Sequence, residues 1–457
     1  MRALCTALAC LLASTGCDKL RAMPLFQTRS SLPPPGPPAL LMGPWLLDPL
    51  PGRVTVAWVT SQPSKGRVWY GTPQADKLAT EEGPEVIEHR VALAPLQPST
   101  QYRYRVEGAA ESDWFWSAPE AGSQAPFTVL VYGDNRTNNG DHALVARAAA
   151  AERAQLALHT GDMVSRASDA ALWQVWFQEE HDLLAHTPLV PTVGNHEITD
   201  NGVAYSKYFQ HQGLPPYWSL DYGPLHIAVL DSFETAAGAT PHSAGVSEAQ
   251  KAWFEEDLRK VAPDRHVWVL VHQGPYAHPA HPRGAGHGGS DAVRSAIAAA
   301  AKVHPIEVVF AGHEHFYERG DVDGLKYFVL GGGGAPLEDP EQSFPGVLVA
   351  RKALSYATVQ VCGCHVQGVV KDIAGRTIDS FKLADCATPC GGPVAAAPAL
   401  AAAASVPVDS NATMPLVALA GSADAGSADG GSRRRERKRR SAEAPDGGAA
   451  QPGDAGP

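Results

Sequence analysis

The sequence predicts a small all-β domain followed by a larger α/β domain and a long polar tail. From about Pro44 to Pro119, short segments of alternating apolar and polar residues are broken by Pro, Gly and Ser roughly every ten residues, which is typical of an antiparallel β-sandwich. From Pro126 onward, apolar runs alternate with stretches that have apolar residues at helical spacing. This alternation favours an α/β core with buried sheets.

Within the α/β region we predict seven buried strands and three helices. The strands are Phe127–Tyr132, Gln155–His159, Leu189–Val193, His226–Leu230, His266–Val271, Ile306–Phe310 and Tyr327–Leu330. The helices cover residues 141–154, 169–185 and 247–261, and Ser247 with Gln250 predicts a capping box at the start of the third. Residues 345–386 return to a strand pattern, with a turn at Ala374-Gly375.

The two ends of the chain have their own signals. Arg2, the apolar run Ala3–Ala13 and the Gly16-Cys17 pair predict an export signal over residues 1–17. Gly16-Cys17 resembles a bacterial lipoprotein cleavage site, which implies a cell-envelope, periplasmic or secreted location and a lipid anchor on Cys17. A Pro-rich linker follows over residues 18–40. Residues 387–457 are rich in Ala, Gly, Pro and Ser, and we expect them to be disordered.

Composition limits the function classes. The chain has 457 residues and a net charge of -11, which argues against a surface for a nucleic-acid duplex across the whole protein. The basic run at residues 433–440 is interpreted as a solvated patch within the tail. Four cysteines remain after the signal, and in an exported chain we expect disulfides, with a zinc site as the alternative. They are Cys362, Cys364, Cys386 and Cys390.

Side chains able to bind metal follow the predicted strands. They are Asp134, Asp162, Asn195, His272, His313 and His315. Ligands of α/β sheets lie outside the carboxyl ends of the strands, so these side chains should converge on one crevice. Glycine stands beside four of these points, where the backbone can pass close to a bound ion.

The order GD…GD…GNHE…H…GHEH over Phe127–Gly333 resembles the metallophosphoesterase superfamily. With a sandwich in front, and with HEHFYER, SEAQKAWFEEDL and the Gly331–Gly334 run, it looks most like the purple acid phosphatase branch. The segment HRVALAPLQPSTQYRYRVEG resembles the last strands of a fibronectin type III module. The resemblance implies a fibronectin III-like domain at residues 41–120, a four-layer α/β/β/α catalytic domain at 125–340, and a β segment at 341–386 that packs on it.

The resemblance also implies two divalent metal ions, with Zn, Mn and Fe all open. Asp162 would bridge them, Asp134 and His315 would complete the first, and Asn195, His272 and His313 the second. Because His313 and His315 are two apart, an extended segment would project both imidazoles to one side. The implied activity is hydrolysis of a phosphomonoester, in a phosphorylated small molecule or nucleotide, by a hydroxide that bridges the ions.

His196 would protonate the leaving group or hold the phosphoryl oxygen, and Glu197 would orient its imidazole and raise its pKa. The alternative is a structural histidine. Downstream of His272, a loop carries His278, His281 and His287. His278 is the candidate for binding the substrate phosphate, and an idle surface histidine is the alternative.

The chain departs from the family pattern at the first ion. Ser165 stands where purple acid phosphatases have a tyrosine, and Arg136 stands where other branches have a histidine. The first ion therefore lacks one side-chain ligand, which water or Ser165 would replace, and ferric iron is not assigned. Arg136 is interpreted either as a phosphate-binding residue or as a partner for a nearby acid.

Two other functions fit the same residues. A phosphodiesterase or nucleotide pyrophosphatase would use the same ligands, because ligands set the chemistry and loops set the leaving group. A surface protein that keeps the fold and binds without turnover is the alternative from a different class.

Overall fold

Seven antiparallel strands form the N-terminal part of the chain. The computed structural model describes residues 38–80, 83–209, 215–234, 245–280 and 287–387. The strands are β1 (Leu40–Leu50), β2 (Arg53–Ser64), β3 (Arg67–Gly71), β4 (Lys77–Thr80), β5 (Val86–Leu93), β6 (Gln101–Val106) and β7 (Asp113–Trp116). Sheets β1-β2-β5 and β4-β3-β6-β7 share one apolar core that includes Trp58 and Phe115. The predicted β-sandwich is therefore confirmed, and its likeness to fibronectin type III stays a prediction.

Several predicted features lie outside the described residues. They are the export signal with Cys17, most of the linker, His281, Cys390, and the tail from residue 388 with its basic run. Within the described part, no helix is long and apolar enough to pass through a bilayer.

Two mixed sheets build the second part. The first has the order β10-β9-β8-β18-β19-β20 and the second β11-β12-β13-β14-β16-β15-β17. The strands of the first sheet are β8 (Phe127–Tyr132), β9 (Leu156–His159), β10 (Leu189–Pro191), β18 (Ser355–Cys362), β19 (His365–Asp372) and β20 (Thr377–Ala384). The strands of the second are β11 (Trp218–Tyr222), β12 (Leu225–Val229), β13 (His266–Leu270), β14 (Val308–Ala311), β15 (Tyr317–Val322), β16 (Leu325–Leu330) and β17 (Val347–Arg351).

Helices cover the outer faces of both sheets. They are α1 (Asn139–Ala151), α2 (Ala170–Glu179), α3 (His181–Leu184), α4 (Val203–Phe209), α5 (Glu248–Leu258) and α6 (Asp291–Ala300), with a 3-10 helix at Glu197–Asp200. Val131 and Phe310 belong to the core between the sheets. Leu130 packs with α1 to α4 on one outer face, and Val269 packs with α5 and α6 on the other. This is the expected four-layer α/β/β/α arrangement.

Parallel strands point the predicted ligands toward one edge. In the first sheet β8, β9 and β10 are parallel, and in the second β12, β13, β14 and β16 are parallel. The chain segments that leave β8, β9, β10, β13 and β14 carry the predicted metal-binding residues.

Two helix predictions need correction. The helix expected at 169–185 breaks at Glu180, whose buried carboxylate accepts the Tyr132 hydroxyl at 2.9 Å and contacts His142 Nε2 at 2.7 Å. In the expected capping box, Ser247 Oγ accepts the Gln250 N–H at 3.0 Å, but the Gln250 side chain donates to the Asp231 carbonyl instead of turning back. Helices α4 and α6 were not predicted from the sequence.

The C-terminal strands complete both sheets. β18 pairs with β8, β19 and β20 extend the first sheet, and β17 forms the edge of the second. A disulfide joins Cys364, between β18 and β19, to Cys386 after β20. The structure thus has the expected disulfide at these two cysteines.

Candidate metal centre

The structure brings the six predicted metal-binding residues together. Each follows the end of a parallel strand by two to four positions, and each is 8% exposed or less. They are Asp134 after β8, Asp162 after β9, Asn195 after β10, His272 after β13, and His313 and His315 after β14. Such deep burial of carboxylates and imidazoles is costly without a compensating partner.

Asp134, Asp162 and His315 form one group. Each offers a ligand atom that lies within 4.8 Å of the other two. Nδ1 of His315 donates to the carbonyl oxygen of Pro336 at 2.9 Å, which leaves Nε2 facing Oδ1 of Asp134 at 3.8 Å. This hydrogen bond fixes the tautomer that presents a lone pair at Nε2.

Asn195, His272 and His313 form a second group. Oδ1 of Asn195 lies 3.1 Å from Nε2 of His272 and 3.1 Å from Nδ1 of His313. Those two nitrogen atoms are 3.2 Å apart. Nδ1 of His272 donates to the carbonyl oxygen of Thr160 at 2.6 Å, so its Nε2 is directed at the group.

Asp162 lies between the two groups. Its Oδ1 is 3.4 Å from Nε2 of His272 in the second group. Its Oδ2 accepts a hydrogen bond from Arg136, which also contacts His315 of the first group. Burial acts to raise the pKa of Asp162, but His272, His196 and Arg136 hold it well below its usual range. Burial, with Asp162 nearby, raises the pKa of Asp134 to about 8. Ionising both carboxylates is thus costly without a cation, and a bound cation would stabilise the charged form of Asp134 beside Asp162.

The backbone is strained at three of these residues. Asp134, Asp162 and His313 have φ values of +59°, +57° and +72°, in the left-handed region that few non-glycine residues adopt. His313 is therefore not part of an extended segment. The extended segment expected at these positions is therefore not observed, but both imidazoles still reach the centre, one in each group as predicted.

Glycine allows close approach at two points. A Cβ atom on Gly312 would collide with Oδ2 of Asp134, and one on Gly194 would collide with Oδ1 of Asp162. The backbone of these loops can therefore reach the carboxylates only without a side chain.

Glu197 does not orient His196 as expected. Its buried carboxylate accepts the backbone N–H groups of Asp162 (2.8 Å), Met163 (2.9 Å) and Gly194 (2.9 Å). It therefore ties together the loops after β9 and β10. Burial and Asp162 raise the pKa of Glu197 to about 7.

His196 lies at the rim of the centre. Its Nδ1 donates to the carbonyl oxygen of Ser165 at 2.8 Å, and its Nε2 lies 3.9 Å from Oδ2 of Asp162. The side chain is 23% exposed, and burial lowers its pKa, whereas the sequence analysis expected the pKa to be raised.

The histidine loop differs from the prediction. His278 binds Glu318, with Nδ1 2.8 Å from Oε1, and stacks on Phe344 with centroids 3.8 Å apart. His287 stacks instead on His313, with centroids 5.3 Å apart, and its Nδ1 is 3.2 Å from Oε1 of Glu314. His287 is thus the loop histidine that the described residues place beside a ligand. Sequence spacing did not distinguish it from His278.

A family model described as calcineurin-like phosphoesterase matches residues 127–317. This segment is a calcineurin-like phosphoesterase domain. The match includes all six residues of the two groups.

The chain is similar to plant phosphatases. The chain is 26% identical over 322 residues to a purple acid phosphatase of Glycine max, and 27% identical over 332 residues to a phosphoenolpyruvate phosphatase of Allium cepa. The matches cover 63% and 64% of this chain, and 67% and 65% of those proteins. The chain therefore spans about two thirds of the length of these relatives.

The fold is similar to that of a purple acid phosphatase from yellow lupin (Lupinus luteus). The TM-score is 0.63 at 16% identity, over 76% of this chain and 74% of the lupin chain. The match extends beyond the phosphoesterase domain, which agrees with an N-terminal all-β part ahead of it.

The donor set fits two divalent metal ions. Carboxylate oxygen, amide oxygen and imidazole nitrogen suit Zn, Mn and Fe, and no cysteine is among the six residues. Each group offers three converging donors, and Asp162 contacts both. The cations would offset the buried negative charge of Asp134 and Asp162.

Proposed function

We propose that this chain is a binuclear metal-dependent phosphomonoesterase that acts outside the cytoplasm on a phosphorylated small molecule or nucleotide. The observation that carries the proposal is the position of Asp162. Its two carboxylate oxygens lie between a carboxylate–imidazole group and an amide–imidazole group, as a bridging ligand requires.

In this proposal each group holds one ion. Asp134, Asp162 and His315 hold the first, and Asn195, His272, His313 and the other oxygen of Asp162 hold the second. A pair of divalent ions supplies a hydroxide nucleophile near neutral pH and neutralises charge on the phosphoryl group. Hydrogen bonds from His272 to Thr160 and from His315 to Pro336 fix these rings, so little reorganisation is needed on binding.

His196 is proposed to give a proton to the leaving alkoxide. Its Nδ1–H is held by Ser165, so the atom that faces the centre is Nε2. The imidazolium form carries a proton there and can donate it. The hydrogen bond to Ser165 also keeps the ring pointed inward while the proton moves.

His287 is proposed as a substrate-facing residue in place of His278. It is 21% exposed and stacks on His313, so its outer edge borders the space above the second ion position. The carboxylate of Glu314 is fully buried and accepts the Gly288 N–H at 2.6 Å as well as contacting His287. Glu314 thereby sets the position of the His287 ring.

Export and lipid attachment are part of the proposal. They rest on the sequence of residues 1–17, in particular on Gly16-Cys17. Acylation of Cys17 would hold the protein at a bacterial envelope, with residues 18–40 as a spacer.

A parallel assay with an aryl phosphate and its bis-aryl diester tests the activity. We expect faster release of the phenol from the monoester, loss of turnover after chelation, and loss of turnover in Asp162→Asn. Asp182→Asn is the matched control, because that side chain is 83% exposed. A preference for the diester would favour the phosphodiesterase alternative, and turnover that survives both chelation and Asp162→Asn would overturn the proposal.

A further inference from the structure

Arg136 reaches into the first ion position. Its Nε donates to Oδ2 of Asp162 at 2.8 Å, and its Nη2 lies 3.1 Å from Nε2 of His315. The guanidinium is therefore held by two of the atoms that the proposed function assigns to the first ion. Of the two interpretations of Arg136 from the sequence, the contact with an acid is the one observed.

The contact with His315 is a donor–acceptor pair. Because Nδ1 of His315 donates to Pro336, its Nε2 carries a lone pair that can accept from Arg136 or bind a cation. Oδ2 of Asp162, which is fully buried, has two lone pairs and could serve both partners. Nε2 of His315 has only one, so a guanidinium and a divalent ion cannot use it at once, and their like charges repel at this separation.

The second ion position has a different environment. Three of its four proposed ligand atoms, on Asn195, His272 and His313, face one another at 3.1 to 3.2 Å. They are gathered around a common point, with the strain at His313 already present in the backbone. An ion entering there meets donors that are already in place.

A neighbouring cavity could accommodate the Arg136 side chain in a second conformation. A cavity of about 380 Å³ adjoins it and is lined by Ser165, Trp176 and Glu179 among others. The Glu179 side chain is 19% exposed and is paired with His142, and its carboxylate offers a further acceptor at the cavity wall. Rotation about the Arg136 side chain would move the charge from the centre into this cavity.

We propose that Arg136 is a tethered cation that competes with the first metal ion, so that the two ions bind with unequal affinity and in a fixed order. The inference rests on the proposed function, because it takes the two ion positions from it. The second position fills first and tightly. The first fills only when the guanidinium leaves Asp162 and His315, so its ion is the exchangeable one.

Calorimetric titration of the metal-free full-length protein with Zn²⁺ tests this. For the wild type we expect one tight ion and a second bound at least about tenfold more weakly, a difference that one removable charge nearby readily supplies. Arg136→Leu removes the charge without adding a ligand atom, and should tighten the weaker ion by about tenfold or more while leaving the tight one unchanged. Arg136→Lys keeps a cation and should leave the weaker ion weak.

Two controls make the result specific. Arg166→Leu removes an exposed arginine four positions after Asp162 and should leave both affinities as in the wild type. Adding Asp134→Asn to Arg136→Leu should abolish the tightened site, which assigns it to the first position. Circular dichroism of each variant establishes that it is folded.

The outcomes separate this inference from the proposed function. Two ions of equal affinity in the wild type, or a folded Arg136→Leu that binds both as the wild type does, would overturn the role of Arg136 alone. A wild-type protein that binds no Zn²⁺, Mn²⁺ or Fe²⁺ would overturn the ion positions and the inference with them.

Discussion

The Glu197 carboxylate accepts the backbone N–H of Asp162 at 2.8 Å in a position that is fully closed to solvent. It accepts two further backbone N–H groups, from Met163 and Gly194, and so fixes the left-handed turn that presents Asp162. The strain at Asp162 is thus offset by a residue that was expected to act on His196.

Glu197→Ala should destabilise the fold by about 3 kcal/mol or more, because several buried N–H groups lose their acceptor at about 1–3 kcal/mol each. Metal content should fall with it, since Asp162 is no longer held. Glu197→Gln keeps one acceptor oxygen and should show a smaller loss. Chemical unfolding measures the effect, with Glu248→Gln as a control whose side chain is 89% exposed. Equal stability of Glu197→Ala and wild type would contradict this role.

His287 and His278 should differ in their effect on turnover. His287→Ala removes the ring that stacks on His313 and should lower kcat/KM by about 10- to 100-fold, as is usual for a group beside a metal ligand. His278→Ala breaks the contact with Glu318 and should mainly lower the melting temperature. Steady-state kinetics with the aryl phosphate compares them, and a larger kinetic effect at His278 would contradict the assignment.

Stability should fall as the pH rises above neutrality because of His142. Burial acts to lower its pKa, but the hydrogen bonds to Glu179 and Glu180 raise the pKa to about 9 from 6.5. A raised pKa in the folded state gives stability that is fully present below pH 6.5 and is lost as the pH rises through 9, on the order of 2–3 kcal/mol.

The melting temperature measured from about pH 6 to about pH 10 tests this, because that range covers both the unfolded and the folded pKa of His142. His142→Gln should melt lower at pH 6 and should decline less steeply than the wild type as the pH rises. Some decline should remain, because His226, between Asp221 and Asp257, has its pKa raised in the same direction. Parallel curves for the two proteins would count against the role of His142.

The sequence was sufficient to predict that these six side chains lie together, because the ends of the strands determine their positions. Asp134 and Asp162 follow two paired parallel strands of the first sheet, and His272 follows a parallel strand of the second sheet, which packs against the first. The alternation of runs and helices predicted the buried sheets, and the family resemblance implied their four-layer arrangement. Glycine at 194 and 312 was predicted to permit close approach, and the contacts of these positions agree.

The role of Glu197 could not be predicted from the sequence, because its partners are backbone N–H groups whose directions depend on the folded loops. The sequence does not distinguish His278 from His287, because both lie in the same loop. Their different positions follow from their contacts in the fold: His278 contacts the buried Glu318, and His287 contacts the buried Glu314. The break at Glu180 depends on Tyr132 and His142, which are distant in sequence. Arg136 was recognised from the sequence as a departure from the family pattern. Its contact with His315 could not be predicted, because the two residues are 179 positions apart.

The central claim is that six side chains hold two ions and that these ions are needed for turnover. Metal analysis of the purified full-length protein and of His313→Ala, with phosphate release measured on the same samples, tests it most directly. We expect two ions per chain and activity in the wild type, and loss of the second ion together with activity in the variant. Phosphate release that persists at the wild-type rate in metal-free protein would contradict the account.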